Sequence, residues 1–264
     1  MQYIDAIIFG IIEGLTEFLP ISSTGHLMLT AQVLGGQTEF LKTFEIVIQL
    51  GAILSVVVLY WRSFLVDFAV LKRIIVAFIP TGILGLIFYK IVKTYLMSSI
   101  TTVLWALAIG GIFIVIWGRF FDMSSKVGNG DTGAKGTNEI AKISYKKAAL
   151  IGVFQSIAMI PGVSRSAATI IGGLSLGLSR KAIVEFSFLL AVPTMLAASS
   201  MDLYKNATAF STSQIGFLSL GFIVSFLVAI LAIKFFLKFI QKHSFTWFGV
   251  YRIIIAIIGF WLLF

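Results

Sequence analysis

The sequence predicts an all-α polytopic membrane protein, arranged as an inverted-topology repeat in which each half is a re-entrant helix hairpin followed by three transmembrane helices. Three observations predict it. Hydrophobic residues make up 59% of the chain and charged residues 12%, at a mean hydropathy of +1.04, whereas a soluble domain carries roughly 25% charged residues. The apolar runs are continuous and not alternating, which argues against a spanning β-barrel. The order of elements also repeats: a short apolar run, a break around a proline, a second short run, then three long ones.

The first apolar run, from residue 3 to about 18, is short for a span of about twenty residues. It ends at Pro20 and a Ser-Ser-Thr-Gly cluster, and a second short run reaches residue 34. The pair reads as a re-entrant hairpin over 3–34, since non-helical backbone at membrane depth is tolerated only inside protein or beside a wet cavity. One full helix with a long surface loop is the alternative. Spans are expected at 44–61, 73–89 and 100–118, completing a first repeat over 1–118. Residues 119–147 are rich in Gly, Ser, Lys and Asn and read as an exposed cytoplasmic connection. The second repeat, 148–264, holds a hairpin at 148–178 around Pro161-Gly162-Val163-Ser164-Arg165-Ser166. Its spans are expected at 182–201, 215–235 and 247–263.

The halves also share letters: Gly10-Ile11-Ile12-Glu13 aligns with Gly152-Val153-Phe154-Gln155, and Pro20-Ile21-Ser22-Ser23 with Pro161-Gly162-Val163-Ser164. Three spans per half turn the second half upside down. Charge supports this. Fourteen Lys and Arg, at 62, 72, 73, within 119–147, and at 180, 181, 234, 238 and 242, fall on one side, against Lys42, Lys90, Lys93 and Lys205 on the other. The positive-inside rule makes the first side cytoplasmic. That also explains the net charge of +9 without nucleic acid. No cysteine is present, so disulfides and thiolate metal sites are excluded. The first run holds Asp5, Glu13 and Glu17 and lacks the signature of a cleaved signal.

The polar residues concentrate in the two breaks. An ionisable group at bilayer depth costs about 2.5–3.5 kcal/mol on insertion scales, so such groups mark function. Glu13 and Glu17, four apart, share one helix face. Two close carboxylates in low dielectric share a proton or bind a cation, and Mg²⁺ or Ca²⁺ suits their oxygens. Ser22, Ser23 and Thr24 stand where a helix begins, a ready site for an anion, and His26 follows one turn on as a candidate acid or base. In the second break Arg165 offers a planar fork for phosphate, flanked by Ser164, Ser166 and Thr169. Structural readings stay open at each point: a carboxylate pair bonded to neighbouring helices, a structural histidine, an arginine ion-paired for folding. Together the residues point to a phosphate or diphosphate on a lipid, bound inside the membrane and open to phosphoryl transfer.

The stretch Glu13-Gly14-Leu15-Thr16-Glu17-Phe18-Leu19-Pro20-Ile21-Ser22-Ser23-Thr24-Gly25-His26 and the stretch Pro161-Gly162-Val163-Ser164-Arg165-Ser166 with Thr169 closely resemble the undecaprenyl-diphosphate phosphatase, or bacitracin-resistance, family. The resemblance covers essentially the whole chain. It implies a bacterial inner-membrane enzyme that removes the terminal phosphate of undecaprenyl diphosphate and recycles the carrier lipid for peptidoglycan synthesis. It further implies a need for Mg²⁺ or Ca²⁺, a site opening toward the periplasm, and a homodimer. The expected roles are Arg165, Ser164, Ser166 and Thr169 holding the diphosphate with Ser22, Ser23 and Thr24; Glu13 and Glu17 carrying the ion or acting as base; and His26 as acid or base. Whether Ser23 attacks directly or an activated water does is open. A transporter that flips a polyprenyl phosphate is the alternative, since broken helices at the midplane serve transporters too.

Overall fold

The computed structural model describes residues 2–96, 99–125, 139–205 and 214–264. The described residues form helices and turns, with no strand among them. Two short helices come first, α1 (Tyr3–Thr16) and α2 (Ser23–Val33), separated by a break over 17–22. Then follow α3 (Glu39–Leu59), the single-turn α4 (Trp61–Leu65), α5 (Phe68–Ile91) with a π-helical turn after it, and α6 (Ile100–Ser125). The second series is α7 (Tyr145–Ser156), a 3₁₀ turn, α8 (Arg165–Ser175), α9 (Arg180–Lys205), α10 (Ile215–Phe239) and α11 (Thr246–Leu263). Six of these helices are long and apolar enough to cross a membrane: α3, α5, α6, α9, α10 and α11.

Several helices start before their apolar runs do, because caps and not hydropathy set the ends. The Thr38 hydroxyl accepts from Leu41 N at 3.1 Å and opens α3 five residues ahead of the expected 44. The Asp67 carboxylate accepts from Ala69 N and Val70 N, both at 3.1 Å, and opens α5 at 68. Free N–H groups at a helix start need such partners. At the other end α6 runs past Arg119 to Ser125; of the expected connection, 126–138 lie outside the described residues.

The halves exchange partners. The first helix of each half packs on the second long helix of the other: α1 on α10, and α7 on α5. The third long helices, α6 and α11, pack on each other. Helix α9 lies at the centre, where Ile183, Val184, Phe186, Phe188, Leu189 and Leu190 are fully buried. Outer helices expose residues such as Leu86, Leu231 and Trp261, as lipid-facing surfaces do.

Without a hydrophobic drive between helices in lipid, small residues at crossings let backbones meet. On α1 a Cβ at Gly10 would lie 2.9 Å from Gly221 O, and one at Gly14 would lie 2.7 Å from Ser225 O. At the matching crossing, a Cβ at Gly152 would lie 1.9 Å from Ala77 O, and the Gly152 carbonyl accepts from Thr81 Oγ1 at 2.8 Å. Gly152→Ala is therefore expected to push α7 off α5 and to destabilise the protein by at least ~2 kcal/mol, read as a lowered melting temperature in detergent. Gly85→Ala is the control: its Cβ would meet only Met159 Cε, at 3.7 Å, so its melting temperature should stay near that of the wild type.

Candidate active site

Both breaks are built alike. Ser22 and Ser164 are the only non-glycine residues at positive φ among the described residues, at φ 70 and φ 72. Such conformations cost about 1–3 kcal/mol and persist where the surroundings enforce them, often at functional sites. Each serine caps the helix that follows: Ser22 Oγ accepts from Gly25 N at 3.4 Å, and Ser164 Oγ accepts from Ala167 N at 3.3 Å. The two turns are also stitched together, since Ser166 Oγ donates to Leu19 O at 2.7 Å.

The breaks meet at Glu17. Arg165 Nη2 donates to Glu17 Oε1 at 3.0 Å, and Ser23 Oγ donates to Glu17 Oε2 at 2.5 Å. Arg165 is aimed by Ser187, whose carbonyl accepts from Nη1 at 2.8 Å, and its guanidinium lies over the Phe18 ring at 5.7 Å. Its buried Nε has no partner. The ion pair is nearly dry, with side-chain exposures of 12% and 4%. Removing one member of such a pair strands the other charge.

Beside this junction lies a cavity of about 170 Å³, lined by Glu17, Ser22, Ser23, Thr24, Ser164 and Arg165 together with Gln49, Pro161, Gly162 and Met195. Six of the residues expected at the site thus face one space. Four stand behind it. Ser166 bonds Ser164 and Leu19. Thr169 is fully buried and donates to Arg165 O at 2.9 Å and to Gln155 Oε1 at 3.4 Å. His26 is engaged at both ring nitrogens, Nδ1 with Ser22 O at 2.8 Å and Nε2 with Tyr251 Oη at 2.9 Å.

Glu13 is fully buried within electrostatic reach of Glu17, Glu45 and Arg165; Glu17 lies close enough to share a proton with it, but no N–H or O–H donor among the described residues meets either Glu13 oxygen. Its sequence counterpart Gln155 is saturated: Nε2 donates to Thr81 Oγ1 at 3.1 Å and to Thr194 Oγ1 at 3.0 Å. The two halves are alike in outline and opposite here, one polar and satisfied, the other acidic and incomplete. A buried carboxylate without donors calls for a proton or a cation. The described residues hold no cluster of three or more His, Cys, Asp or Glu side chains. Two carboxylates suit an ion that takes its remaining oxygens from phosphate and water.

Sequence reasoning missed three residues. Gln49, in α3, reaches the cavity with Oε1 accepting from Ser199 Oγ at 3.2 Å, which leaves its amide N–H groups for a ligand. In α11, Arg252 donates to carbonyls of the second break, and Tyr251 meets His26, which bonds Ser22 of the first. A glutamine inside an apolar span is a legible signal; nothing in the sequence near 251–252 indicates what those residues hold.

Residues 6–258 match the family described as bacitracin resistance protein BacA. The undecaprenyl-diphosphatase of Aquifex aeolicus is 48% identical over 254 residues, covering 96% of this chain and 95% of that protein. Those of a Sulfurihydrogenibium species and of Wolinella succinogenes are 52% and 50% identical, each over 98% of this chain and covering 98% and 97% of their own.

Proposed function

The chain belongs to the BacA family, and from that membership and the Glu17–Ser23–Arg165 junction we propose how it works on a lipid diphosphate. It is a membrane-embedded hydrolase that converts undecaprenyl diphosphate to undecaprenyl phosphate and inorganic phosphate, returning the carrier lipid to cell-wall synthesis and giving bacitracin resistance.

The observation that carries the mechanism is Ser23 Oγ donating to Glu17 Oε2 while Arg165 holds Glu17 Oε1. That aims an alcohol, a base and a cation at one cavity. Ser23 Oγ attacks the terminal phosphorus and its proton passes to Glu17. The anhydride P–O bond breaks, and its electron pair leaves on the oxygen of the lipid phosphate. The Arg165 guanidinium stabilises charge on the phosphoryl oxygens as it spreads. Water then attacks the phosphoserine, the P–O bond to Ser23 breaks, and Oγ recovers the proton from Glu17. Hydroxyls of Ser22 and Thr24 and the Gln49 amide hold the remaining oxygens, and Ser164, whose hydroxyl donates to Ser166, joins them when that hydroxyl turns to the cavity. His26, turned to Ser22 and Tyr251, holds the turn, and the acid–base work rests with Glu17. Ser166 and Thr169 act by buttressing Ser164 and Arg165.

Glu13 and Glu17 would hold Mg²⁺ or Ca²⁺, which supplies charge neutralisation for the diphosphate; the unpartnered oxygens of Glu13 support this. The two hairpins would enter from opposite leaflets and the site open to the outer face, supported by the bias of Lys and Arg between the two sets of loops. A homodimer in the inner membrane belongs to the same proposal, from the resemblance.

Purified protein given farnesyl or undecaprenyl diphosphate in detergent is expected to release inorganic phosphate, and to stop when EDTA removes divalent ions. Release unaffected by EDTA would remove the cation from the proposal. No release with ions present would remove the hydrolysis.

A further inference from the structure

Two consecutive residues of α11 reach both strained turns. The Tyr251 ring lies parallel to the His26 imidazole, with centroids 5.6 Å apart and planes 3° apart, and its hydroxyl meets Nε2 at 2.9 Å. A carbonyl only accepts, so His26 Nδ1 carries the hydrogen that goes to Ser22 O. With the ring neutral, Nε2 then accepts the Tyr251 O–H. A chain of two hydrogen bonds thus runs from α11 to the backbone of Ser22, the residue held at φ 70.

Arg252 does the same for the other turn. It is fully buried, with no carboxylate within salt-bridge distance among the described residues. Its Nη1 donates to Val163 O at 2.9 Å and its Nη2 to Gly162 O at 2.8 Å and Ala106 O at 3.0 Å. Those first two carbonyls immediately precede Ser164, the residue at φ 72. Gly110 leaves room for the guanidinium, since a Cβ there would lie 2.4 Å from Nη2. Taking a cation out of water without an anion is costly, and an aliphatic side chain would pack there without that cost. A planar, pre-organised donor fork ties neighbouring carbonyls at once in a fixed geometry.

We infer that Tyr251 and Arg252 are positioning residues for the proposed hydrolysis, one helix fixing the turn that aims Ser23 and the turn that aims Arg165. The inference rests on that reading of the site. Neither residue lines the cavity; each acts through backbone it holds. Misplacement of reacting groups by about 1 Å can cost ~10²-fold in rate, so the signature is a loss in kcat with KM little changed.

Tyr251→Phe keeps the stack and removes the hydrogen bond. It is expected to lower kcat about tenfold (~1.4 kcal/mol), leave KM within about twofold, and leave the melting temperature in detergent unchanged. In protein labelled with ¹⁵N-histidine, the His26 Nε2 resonance should move toward that of a nitrogen without a hydrogen-bond donor. His243 is the only other histidine, and His243→Asn assigns the signals. Gly110→Ala, which displaces the Arg252 guanidinium, should give the same loss in kcat with KM held. Wild-type kcat in Tyr251→Phe, or an unmoved Nε2 resonance, would overturn the inference. If the wild-type protein released no phosphate, the hydrolysis reading would fall, while the Nε2 resonance would still report whether Tyr251 holds His26.

Discussion

Arg165→Ala is expected to lower phosphate release from a polyprenyl diphosphate by roughly 10³-fold or more, in line with the loss of a cation that stabilises a transferring phosphoryl group. Arg165→Lys should recover little of it. A lysine ammonium cannot at once meet Ser187 O, Glu17 Oε1 and an incoming phosphate from the positions of Nη1, Nη2 and Nε. The alanine variant also strands Glu17, which is buried, and losing one member of a buried pair costs about 3–5 kcal/mol. Stability and catalysis are separated by the double variant. Arg165→Ala with Glu17→Gln should regain much of the melting temperature and none of the activity. Near wild-type turnover in Arg165→Ala would place the phosphate elsewhere.

Ser23→Ala and Glu17→Gln carry the second large effect. Each should lower kcat by about 10³-fold or more, because in the proposed mechanism Ser23, bonded to Glu17 Oε2, supplies the attacking oxygen and Glu17 takes its proton. The two losses should not add, since the residues act as one unit: the double variant should be no slower than the worse single one. An acid quench during steady turnover should trap phosphate on Ser23 in the wild-type protein. Full turnover with no phosphoserine would assign the attack to a water in the same cavity.

How much of this was legible depended on the kind of signal. The six long helices could be read because continuous apolar runs leave no other structure in lipid. Their ends could not, since Thr38 and Asp67 set them by capping, one hydrogen bond at a time. Glu17 and Arg165 were legible as ionisable groups beside apolar runs, and Ser23 as a hydroxyl where a helix begins; the cavity gathers them. Which neighbours touch that cavity was not. A helix start brings Ser164, Ser166 and Thr169 together in sequence, but Ser166 is drawn off by Leu19 O and Thr169 by Arg165 O. His26 was legible as a candidate acid or base beside the first break; that Tyr251, 225 residues away, meets its Nε2 belongs to the folded chain. The signal for Gln49 was present, a lone amide in an apolar span. Arg252 was visible too, as an arginine in a span, but its carbonyl partners on α6 and in the second break belong to the folded chain alone.

The exchange of partners between halves has a consequence for synthesis. Helix α1 is made well before α10, yet the surface that Gly10 and Gly14 were shaped for is on α10, about two hundred residues later. At roughly 5–20 residues per second, the acidic hairpin waits on the order of 10–40 s at the insertion machinery before its berth exists. In the nascent chain α1 should therefore be vulnerable to proteases until α10 has been made.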